Sequence, residues 1–300
     1  MTHSGHSIIN AAFPKNRQAL SVSSTILFIP DFRGESALIN NCRLCGSSEM
    51  RLIMTDGLDC NLNYYRCDNC SLWNYDLDCG LDQTQYTEVY TSPSVTGFTQ
   101  NVHQYRSWRY VSKRLKEPGA VMDIGCGNGG LLFFARNDGW QVRGMELSAD
   151  AAKSIKKDTG IDVVVADFLS YEGDDAGTYD LVALRHVLEH LSDSTLAMEQ
   201  IGRLLKQNGH ALLEFPNTAS VAYLIKRLLK NRGLKNRKFS KDWRPGHCNE
   251  FCRRAFIFLL EKTGFELVDW HTYSSKPVTN FFYRLAPIGS KARALVRKVS

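Results

Sequence analysis

The feature that most limits the fold of this 300-residue chain is a glycine-rich segment that directly follows a short apolar run. Residues 120–124 read Ala-Val-Met-Asp-Ile, residues 125–129 read Gly-Cys-Gly-Asn-Gly, and a helical pattern begins at Gly130. Glycine adopts left-handed backbone conformations without steric cost and lets the main chain approach a ligand closely. A strand that enters such a turn and continues into a helix is typical of nucleotide-binding α/β folds.

Asp123, the acidic residue just before the turn, narrows the ligand class. A carboxylate at this point would repel a pyrophosphate, so the usual dinucleotide is disfavoured. The same carboxylate can pair with an amino group and tolerates a neutral nucleoside. The segment therefore predicts a site for a nucleoside that carries an ammonium group.

Short apolar runs alternate with helical patterns downstream of the turn, which predicts a parallel sheet with crossover helices. The predicted strands are residues 120–124, 142–145, 162–165, 180–184, 211–215 and 265–270. The predicted helices are residues 130–138, 150–158, 195–205 and 253–263. The predicted division of the chain is an arm (1–38), a cysteine-rich module (39–80), a helical connector (81–118), an α/β domain (119–275) with a basic insertion (218–246), and a basic C-terminal tail (276–300).

Residues 123–129 are similar to motif I of the class I S-adenosylmethionine (SAM) dependent methyltransferases. In this resemblance Glu146 matches the acid that accepts hydrogen bonds from both ribose hydroxyls, and Asp167 matches the acid that accepts a hydrogen bond from the adenine amino group. Gln207 and Asn208 depart from the family, because they replace Pro and the first Gly of an L-K-P-G-G turn. The resemblance implies SAM as cofactor and an α/β, Rossmann-like, seven-stranded methyltransferase sheet. The implied cofactor-binding residues are Asp123, Gly125, Cys126, Gly127, Gly129, Glu146, Leu147, Asp167, Phe168 and Arg185.

Residues 186–190, His-Val-Leu-Glu-His, match the zinc-peptidase pattern H-x-x-E-H. They directly follow a predicted strand of a nucleotide-binding sheet and resemble the H-V-L-E-H-L segment of small-molecule methyltransferases, so we do not predict a hydrolytic metal. Some ubiquinone-pathway O-methyltransferases hold a divalent ion with a related E-x-x-E-H segment. Two interpretations therefore stay open. His186, Glu189 and His190 bind a divalent ion, or Glu189 and His190 cap or orient the next helix while His186 lines the cleft.

Two histidines are the candidate catalytic bases, because imidazole titrates near neutrality and can take a proton from a hydroxyl or an amine. His186 is predicted to line the cleft after a strand. His247 lies in a segment similar to the H-x-x-x-F segment that faces the acceptor in the same family. The sequence leaves the choice between them open.

Four of the nine cysteines fall in two C-x-x-C pairs with 21 residues between the pairs. This spacing predicts two knuckles that together supply four thiolates to a structural zinc ion. The predicted ligands are Cys42, Cys45, Cys67 and Cys70. The alternative is a set of ordinary buried or redox thiols, and Cys60 or Cys79 could replace one ligand.

Basic charge is concentrated in two segments, although the net charge of the whole chain is only +6. Residues 226–244 contain nine Lys or Arg and one acid, and residues 284–300 contain five Lys or Arg and no acid. Apolar residues at helical spacing over 221–229 predict a basic amphipathic helix. We interpret it as a lid with solvated charges, as a membrane-surface contact through 221–244, or, less favoured, as a nucleic-acid contact.

The composition is that of an ordinary globular protein, with 43% hydrophobic and 23% charged residues. We expect a cytoplasmic location, because C-x-x-C pairs suit a metal in a reducing compartment. Residues 19–30 form an apolar run that we interpret as a strand and not as a secretory segment.

The predicted function is methyl transfer from SAM to a small-molecule, sugar or other glycan, or lipid-linked acceptor. Ribosomal RNA methylation and a non-catalytic SAM-binding adaptor are the alternatives, and the oligomeric state stays unknown.

Overall fold

The computed structural model describes residues 39–58, 62–77, 98–234, 236–238, 246–274 and 289–299. The arm predicted over 1–38 lies outside the described residues, and so do Cys60, Cys79 and the first part of the predicted connector. The strands are β1 (Met50–Asp56), β2 (Leu62–Cys67), β3 (Trp73–Leu77), β4 (Ala120–Ile124), β5 (Gln141–Glu146), β6 (Val163–Val165), β7 (Tyr179–Arg185), β8 (Leu205–Pro216), β9 (Asn249–Glu250), β10 (Phe265–Tyr273) and β11 (Lys291–Lys298). The helices are α1 (Phe98–Ser112), α2 (Gly130–Asn137), α3 (Ala149–Thr159), α4 (Ser194–Leu204), α5 (Val221–Asn231) and α6 (Arg253–Lys262).

Seven strands form the large sheet, in the order β10-β11-β8-β7-β4-β5-β6. The strands from β8 to β6 are parallel to one another. Strand order reverses between β4 and β7, because the chain moves outwards from β4 through β5 to β6 and then crosses back. Such a switch point leaves a crevice at the carboxyl ends of the strands, where α/β folds bind their ligands. The prediction of a Rossmann-like seven-stranded sheet is confirmed.

The prediction of a C-terminal tail over residues 276–300 is wrong for residues 291–298. These residues form β11, which pairs antiparallel with β8 on one side and with β10 on the other. The error arose because Arg293 interrupts the apolar pattern of this strand. Its side chain is buried and paired with Glu214 of β8, so its charge is compensated inside the fold.

Helices cover both faces of the large sheet. Successive residues of β4 show this: Val121 packs with residues of α1, α2 and α3, whereas Met122 packs with residues of α4 and α6. Helix α3 begins at a typical N-cap residue, since Ser148 accepts a hydrogen bond from Ala151. The result is a three-layer arrangement that buries the sheet and leaves its carboxyl edge accessible.

The cysteine-rich residues form three strands of a second sheet, and β9 supplies the fourth, in the order β1-β2-β3-β9. Cys42, Cys67 and Leu72 belong to the same hydrophobic cluster as residues of α4 and α6, so this module packs on the large domain. A smaller cluster around Tyr64 and Tyr75 includes Tyr223 of α5. The predicted insertion 218–246 thus contributes a helix that packs on the small sheet.

Within the described ranges we find no helix long and apolar enough to cross a membrane.

Candidate active site

A cavity of about 420 Å³ lies at the switch point of the large sheet. The residues that line it are Gln104, Ile124, Gly125, Cys126, Gly127, Met145, Glu146, Leu147, Ala166, Asp167, Phe168, Arg185, His186, Val187, His190 and Leu191. They follow the carboxyl ends of β4, β5, β6 and β7, except for Gln104 of α1. The cavity is therefore built from the strand ends that the sequence singled out.

The glycine turn forms one wall of this cavity. Gly125, Gly127 and Gly129 have φ values of 63°, 60° and 72°, which favour glycine. A Cβ atom on Gly125 would lie 2.5 Å from a methyl group of Val187. Gly125 and Gly127 line the cavity, whereas Gly129 lies at the start of α2 outside the lining.

Asp123 is completely buried at the end of β4, behind the turn and not among the lining residues. Neither of its carboxylate oxygens has a hydrogen-bond partner among the described residues. Burial raises the pKa of this carboxyl to about 7, although Arg185 acts in the opposite direction. A buried acceptor without a donor is costly to a folded protein, so this position suits a ligand that brings a donor.

Glu146 closes the glycine turn from the neighbouring strand. Its two carboxylate oxygens accept hydrogen bonds from the main-chain nitrogens of Gly127 and Leu147, each at 3.0 Å. Burial raises the pKa of Glu146. Asp167 and Phe168 line the next part of the wall, where the Asp167 side chain accepts from the nitrogen of Leu169 at 3.0 Å.

Arg185 connects the cavity to a buried charge network. Its Nε lies 3.4 Å from the carboxylate of Glu214, which also pairs with Arg293 and accepts from the hydroxyl of Tyr273 at 3.0 Å. Burial opposes ionisation of Glu214, but Arg293 and Arg185 lower its pKa to about 2. The network keeps Arg185 charged and fixed, and its side chain also bonds to Gln104 on the opposite wall.

His186 has a φ of 56°, an uncommon conformation for a residue other than glycine. Its main-chain nitrogen donates to the main-chain oxygen of Glu214 at 2.7 Å, which holds the bend in place. The imidazole Nδ1 lies 3.4 Å from Glu189, and Nε2 lies 3.5 Å from the ammonium group of Lys291. The ring therefore lines the cavity between two charged groups.

His190 also lines the cavity, a position that the sequence did not predict. Its Nδ1 lies 2.8 Å from the main-chain oxygen of Gly246, and burial lowers its pKa. Because a carbonyl can only accept, Nδ1 carries the proton in the neutral ring, and Nε2 is then the unprotonated nitrogen. Residues 188–190 form a 3-10 turn, and α4 is capped by Asp193 instead of Glu189 or His190.

His247 lies behind His190 and is not among the lining residues. The two rings meet edge to face with centroids 4.5 Å apart. One ligand atom each from Glu189, His190 and His247 lie within 4.8 Å of one another. The structure thus brings His190 and not His186 together with His247.

The four predicted zinc ligands converge in the small module. The sulfurs of Cys42 and Cys70 are 3.5 Å apart, as are those of Cys45 and Cys67, and all four lie within 4.8 Å of one another. A tetrahedral zinc ion with Zn–S bonds of about 2.3 Å places its sulfurs roughly 3.8 Å apart. The donor set therefore fits zinc.

The two cysteine pairs have the same backbone geometry. Gly46 and Ser71, each directly after the second cysteine of its pair, have φ values of 70° and 71°. Each donates its main-chain N–H to the oxygen of the first cysteine, at 2.9 and 3.0 Å. The glycine was recognisable in the sequence, whereas a left-handed serine was not.

The methyltransferase domain family matches residues 101–269, more than half of the chain. A ubiquinone biosynthesis O-methyltransferase from Xanthomonas axonopodis pv. citri is 28% identical over 197 residues, which cover 59% of this chain and 81% of the relative. A second one, from Vibrio campbellii, is 26% identical over 110 residues, or 35% of this chain and 47% of the relative.

Two solved structures share the fold. A SAM-dependent methyltransferase from Archaeoglobus fulgidus has a TM-score of 0.51 and 20% identity, covering 66% of this chain and 94% of the other. A SAM-dependent methyltransferase from Methanosarcina mazei has a TM-score of 0.51 and 15% identity, covering 63% and 97%. The chain therefore belongs to the methyltransferase domain family and has the Rossmann-like fold of its class I enzymes.

Proposed function

We propose that this protein transfers a methyl group from SAM, bound in the cavity at the switch point, to a small-molecule acceptor. The observation that carries the proposal is the cavity at the switch point, which the glycine turn, Glu146 and Asp167 line and behind which the buried Asp123 carboxylate has no donor among the described residues. A ligand with an ammonium group and a nucleoside would supply that donor and occupy the adjoining wall.

The chain offers a group for each part of such a cofactor. Asp123 is proposed to pair with the ammonium group, Glu146 with the ribose hydroxyls and Asp167 with the adenine amino group, while Phe168 packs against the ring. The proposed positions along the glycine turn and its neighbours are Gly125, Cys126, Gly127, Gly129, Leu147 and Arg185.

When bound, SAM supplies a methyl group on a positively charged sulfur, which departs as a neutral thioether with the electron pair of the broken C–S bond. The chain has then to orient the acceptor in line, exclude water and receive the acceptor's proton. We propose that His190 receives the acceptor's proton. Its ring lines the cavity, burial lowers its pKa so that the ring is neutral, and its Nδ1 donates to the main-chain oxygen of Gly246. His186, the other histidine of the wall, is the competing candidate.

A hydroxyl on a small molecule is the proposed acceptor group. Similarity to O-methyltransferases of ubiquinone biosynthesis favours O-methylation. A sugar, glycan or lipid-linked acceptor remains compatible with the same chemistry, because His190 needs only an acidic proton from the nucleophile.

Contact with a membrane surface is a further part of the proposal. Four apolar side chains of α5 are exposed, although its Tyr223 packs on the small sheet: Val221, Leu224, Ile225 and Leu228. Arg227 and Arg232 flank them. A helix with an exposed apolar stripe and basic flanks suits an anionic lipid surface, where a lipid-linked acceptor would be found.

A structural zinc ion in the cysteine module completes the proposal. Four thiolates leave no coordination position for water, so the ion would stabilise the fold and take no part in the chemistry. The thiolates need a reducing compartment such as the cytoplasm, and the described cysteines are free.

Incubation of the purified protein with methyl-labelled SAM and separate pools of small-molecule extract, lipid extract, nucleotide sugars and RNA tests the function. We expect label in the small-molecule or lipid pool, and much less in an Asp123→Asn control at limiting SAM concentration. Transfer into RNA alone would show that the acceptor class is wrong. Binding of SAM without transfer to any pool would identify an adaptor instead of an enzyme.

A further inference from the structure

Glu250 is a buried carboxylate next to the candidate active site that the proposed chemistry does not use. It is 2% exposed and lies in the short strand β9. Three side chains from different parts of the chain bond to its Oε1: the hydroxyl of Tyr75, the hydroxyl of Tyr223 at 2.8 Å, and Nδ1 of His247 at 3.3 Å. A buried charge with this many donors is fixed in one orientation.

The histidine bonded to Glu250 leads to the cavity. A carboxylate that accepts from Nδ1 fixes the tautomer and the plane of the His247 ring. That ring meets His190 edge to face, with centroids 4.5 Å apart, and His190 lines the cavity. Glu250 is thus two side chains away from the cavity wall.

The cysteine-rich module holds this cluster from the other side. Tyr75 belongs to β3, which pairs with β9 through Trp73 opposite Glu250. Arg43, between the first two cysteines, donates to the main-chain oxygens of Cys248 and Tyr75 at 2.9 and 2.7 Å. The loop that supplies two zinc ligands is therefore bonded directly to the residue after His247.

We propose that Glu250 is a positioning residue for the His247–His190 pair, and that the cysteine-rich module supports it through Tyr75. On this proposal, which rests on the proposed methyl transfer, the module is required for transfer but not for cofactor binding. The dependence follows from geometry, because Tyr75 contacts Glu250, whereas no residue of the module lines the cavity among the described residues.

Two variants of the 300-residue chain, purified without chelator, test this: Glu250→Gln and Tyr75→Phe. In Glu250→Gln a neutral amide oxygen takes the place of Oε1, and the amide NH₂ takes the place of Oε2, which has no hydrogen-bond partner among the described residues. An amide oxygen is a weaker acceptor than a carboxylate, so we expect the His247 resonances to shift in spectra of ¹⁵N-labelled histidine. Tyr75→Phe removes one of the three donors and keeps those of Tyr223 and His247, so we expect a smaller shift of the same resonances.

Tyr179→Phe is the matched control. The Tyr179 hydroxyl bonds to the buried carboxylate of Asp175 at 2.9 Å, but it lies at the start of β7, six residues and roughly 20 Å of strand from Arg185. The Tyr179→Phe substitution removes the same type of bond, from a tyrosine hydroxyl to a buried carboxylate, at the amino ends of the parallel strands. We expect wild-type histidine resonances and transfer rate from this variant.

Three measurements are compared in all variants: S-adenosylhomocysteine affinity by calorimetry, the rate of label transfer into a fixed small-molecule extract, and the histidine spectra. The proposal requires retained affinity, transfer slowed about tenfold or more in Glu250→Gln, and altered His247 resonances. Unchanged His247 resonances in Glu250→Gln, or an equal loss of rate in Tyr179→Phe, would overturn it. If the wild type binds S-adenosylhomocysteine but transfers nothing, the proposed function fails, while the spectra still decide whether Glu250 orients the histidines.

Discussion

The carboxylate of Asp56 in β1 and the ammonium group of Lys230 in α5 form a buried ion pair with a distance of 2.5 Å. Arg237 adds a second bond to the same carboxylate at 2.7 Å. Burial would raise the pKa of Asp56, but Lys230 and Arg237 lower it to about 2. This ion pair attaches the basic insertion to the cysteine-rich sheet.

Asp56→Asn is expected to lower the free energy of unfolding by about 3 to 5 kcal/mol, because it leaves a buried ammonium group without its counter-ion. Thermal denaturation measures the change. Since the folded pKa lies below the unfolded one, the contribution is present above about pH 4 and is lost as the pH falls towards 2. Asp162→Asn, which breaks an exposed pair with Lys156, is the control and should change little. Equal effects of the two substitutions would contradict the prediction.

The affinity for S-adenosylhomocysteine should rise with pH up to about 7 and then level off. Burial keeps Asp123 protonated below its pKa of about 7 in the free protein, whereas an ammonium group binds the carboxylate form. At pH 6 the affinity should be about tenfold below the plateau. Calorimetry of Asp123→Asn should show a loss of about 1.5 to 3 kcal/mol at the plateau and no such pH dependence. If the affinity of Asp123→Asn depends on pH as the wild-type affinity does, Asp123 does not bind the ammonium group of the ligand.

The free protein itself should become less stable as the pH rises from about 4 to about 7. The folded pKa of Asp123 lies above its ordinary value of 3.8, so the stabilising effect of the protonated form is complete below about pH 4 and disappears as the pH rises through 7. Asp123→Asn should flatten this part of the stability profile.

Gly125→Ala should abolish detectable binding of S-adenosylhomocysteine. The new methyl group would lie 2.5 Å from Val187 on a backbone with a φ of 63°, so the turn must move. Gly160→Ala is matched for backbone strain, because Gly160 has a φ of 71° but nothing within 4 Å of an added Cβ. We expect the control to lose about 1 kcal/mol of stability and no affinity. Normal binding by Gly125→Ala would show that the turn does not contact the ligand.

His190→Gln should slow label transfer at least tenfold if His190 receives the proton. His186→Gln tests the competing candidate, and S-adenosylhomocysteine affinity should be retained in both variants. A larger loss in His186→Gln than in His190→Gln would reverse the assignment.

Purified protein should contain one tightly bound zinc ion per chain by elemental analysis. Removal of the zinc ion with a chelator should increase amide hydrogen exchange in residues 246–251. Without the ion the loop between Cys42 and Cys45 is no longer held, so Arg43 loses its hydrogen bond to the main-chain oxygen of Cys248. Protein prepared without chelator and found free of zinc would reduce the four cysteines to ordinary thiols.

The glycine turn and the strands around it were predictable because their signal is local. Residues 120–124 are β4 as predicted, and the resemblance at Glu146 and Asp167 located two further positions on the cavity wall. Asn208, which replaces a family glycine, has a φ of 63°, a left-handed conformation that favours glycine. Asparagine tolerates this conformation better than most residues.

The rest depended on contacts between residues far apart in the chain. Arg293 resembles a solvated charge until Glu214 of the neighbouring strand is seen beside it. The sequence did not predict a catalytic role for His190, because the residues around it do not reveal that Gly246, 56 positions away, orients its ring. Tyr75 and Glu250 are separated by 175 positions. Long-range pairing of this type leaves no periodicity in a single sequence.

The placement of β11 between β8 and β10 has a consequence for synthesis. When residue 273 emerges from the ribosome, β10 can fold, but β11, the strand that joins it to the sheet, is still inside the exit tunnel. The nascent polypeptide must hold the unpaired edge of β8 exposed until residues 291–298 emerge. An open apolar edge of this kind attracts other strands, so we expect newly made chains to depend on a chaperone during this interval.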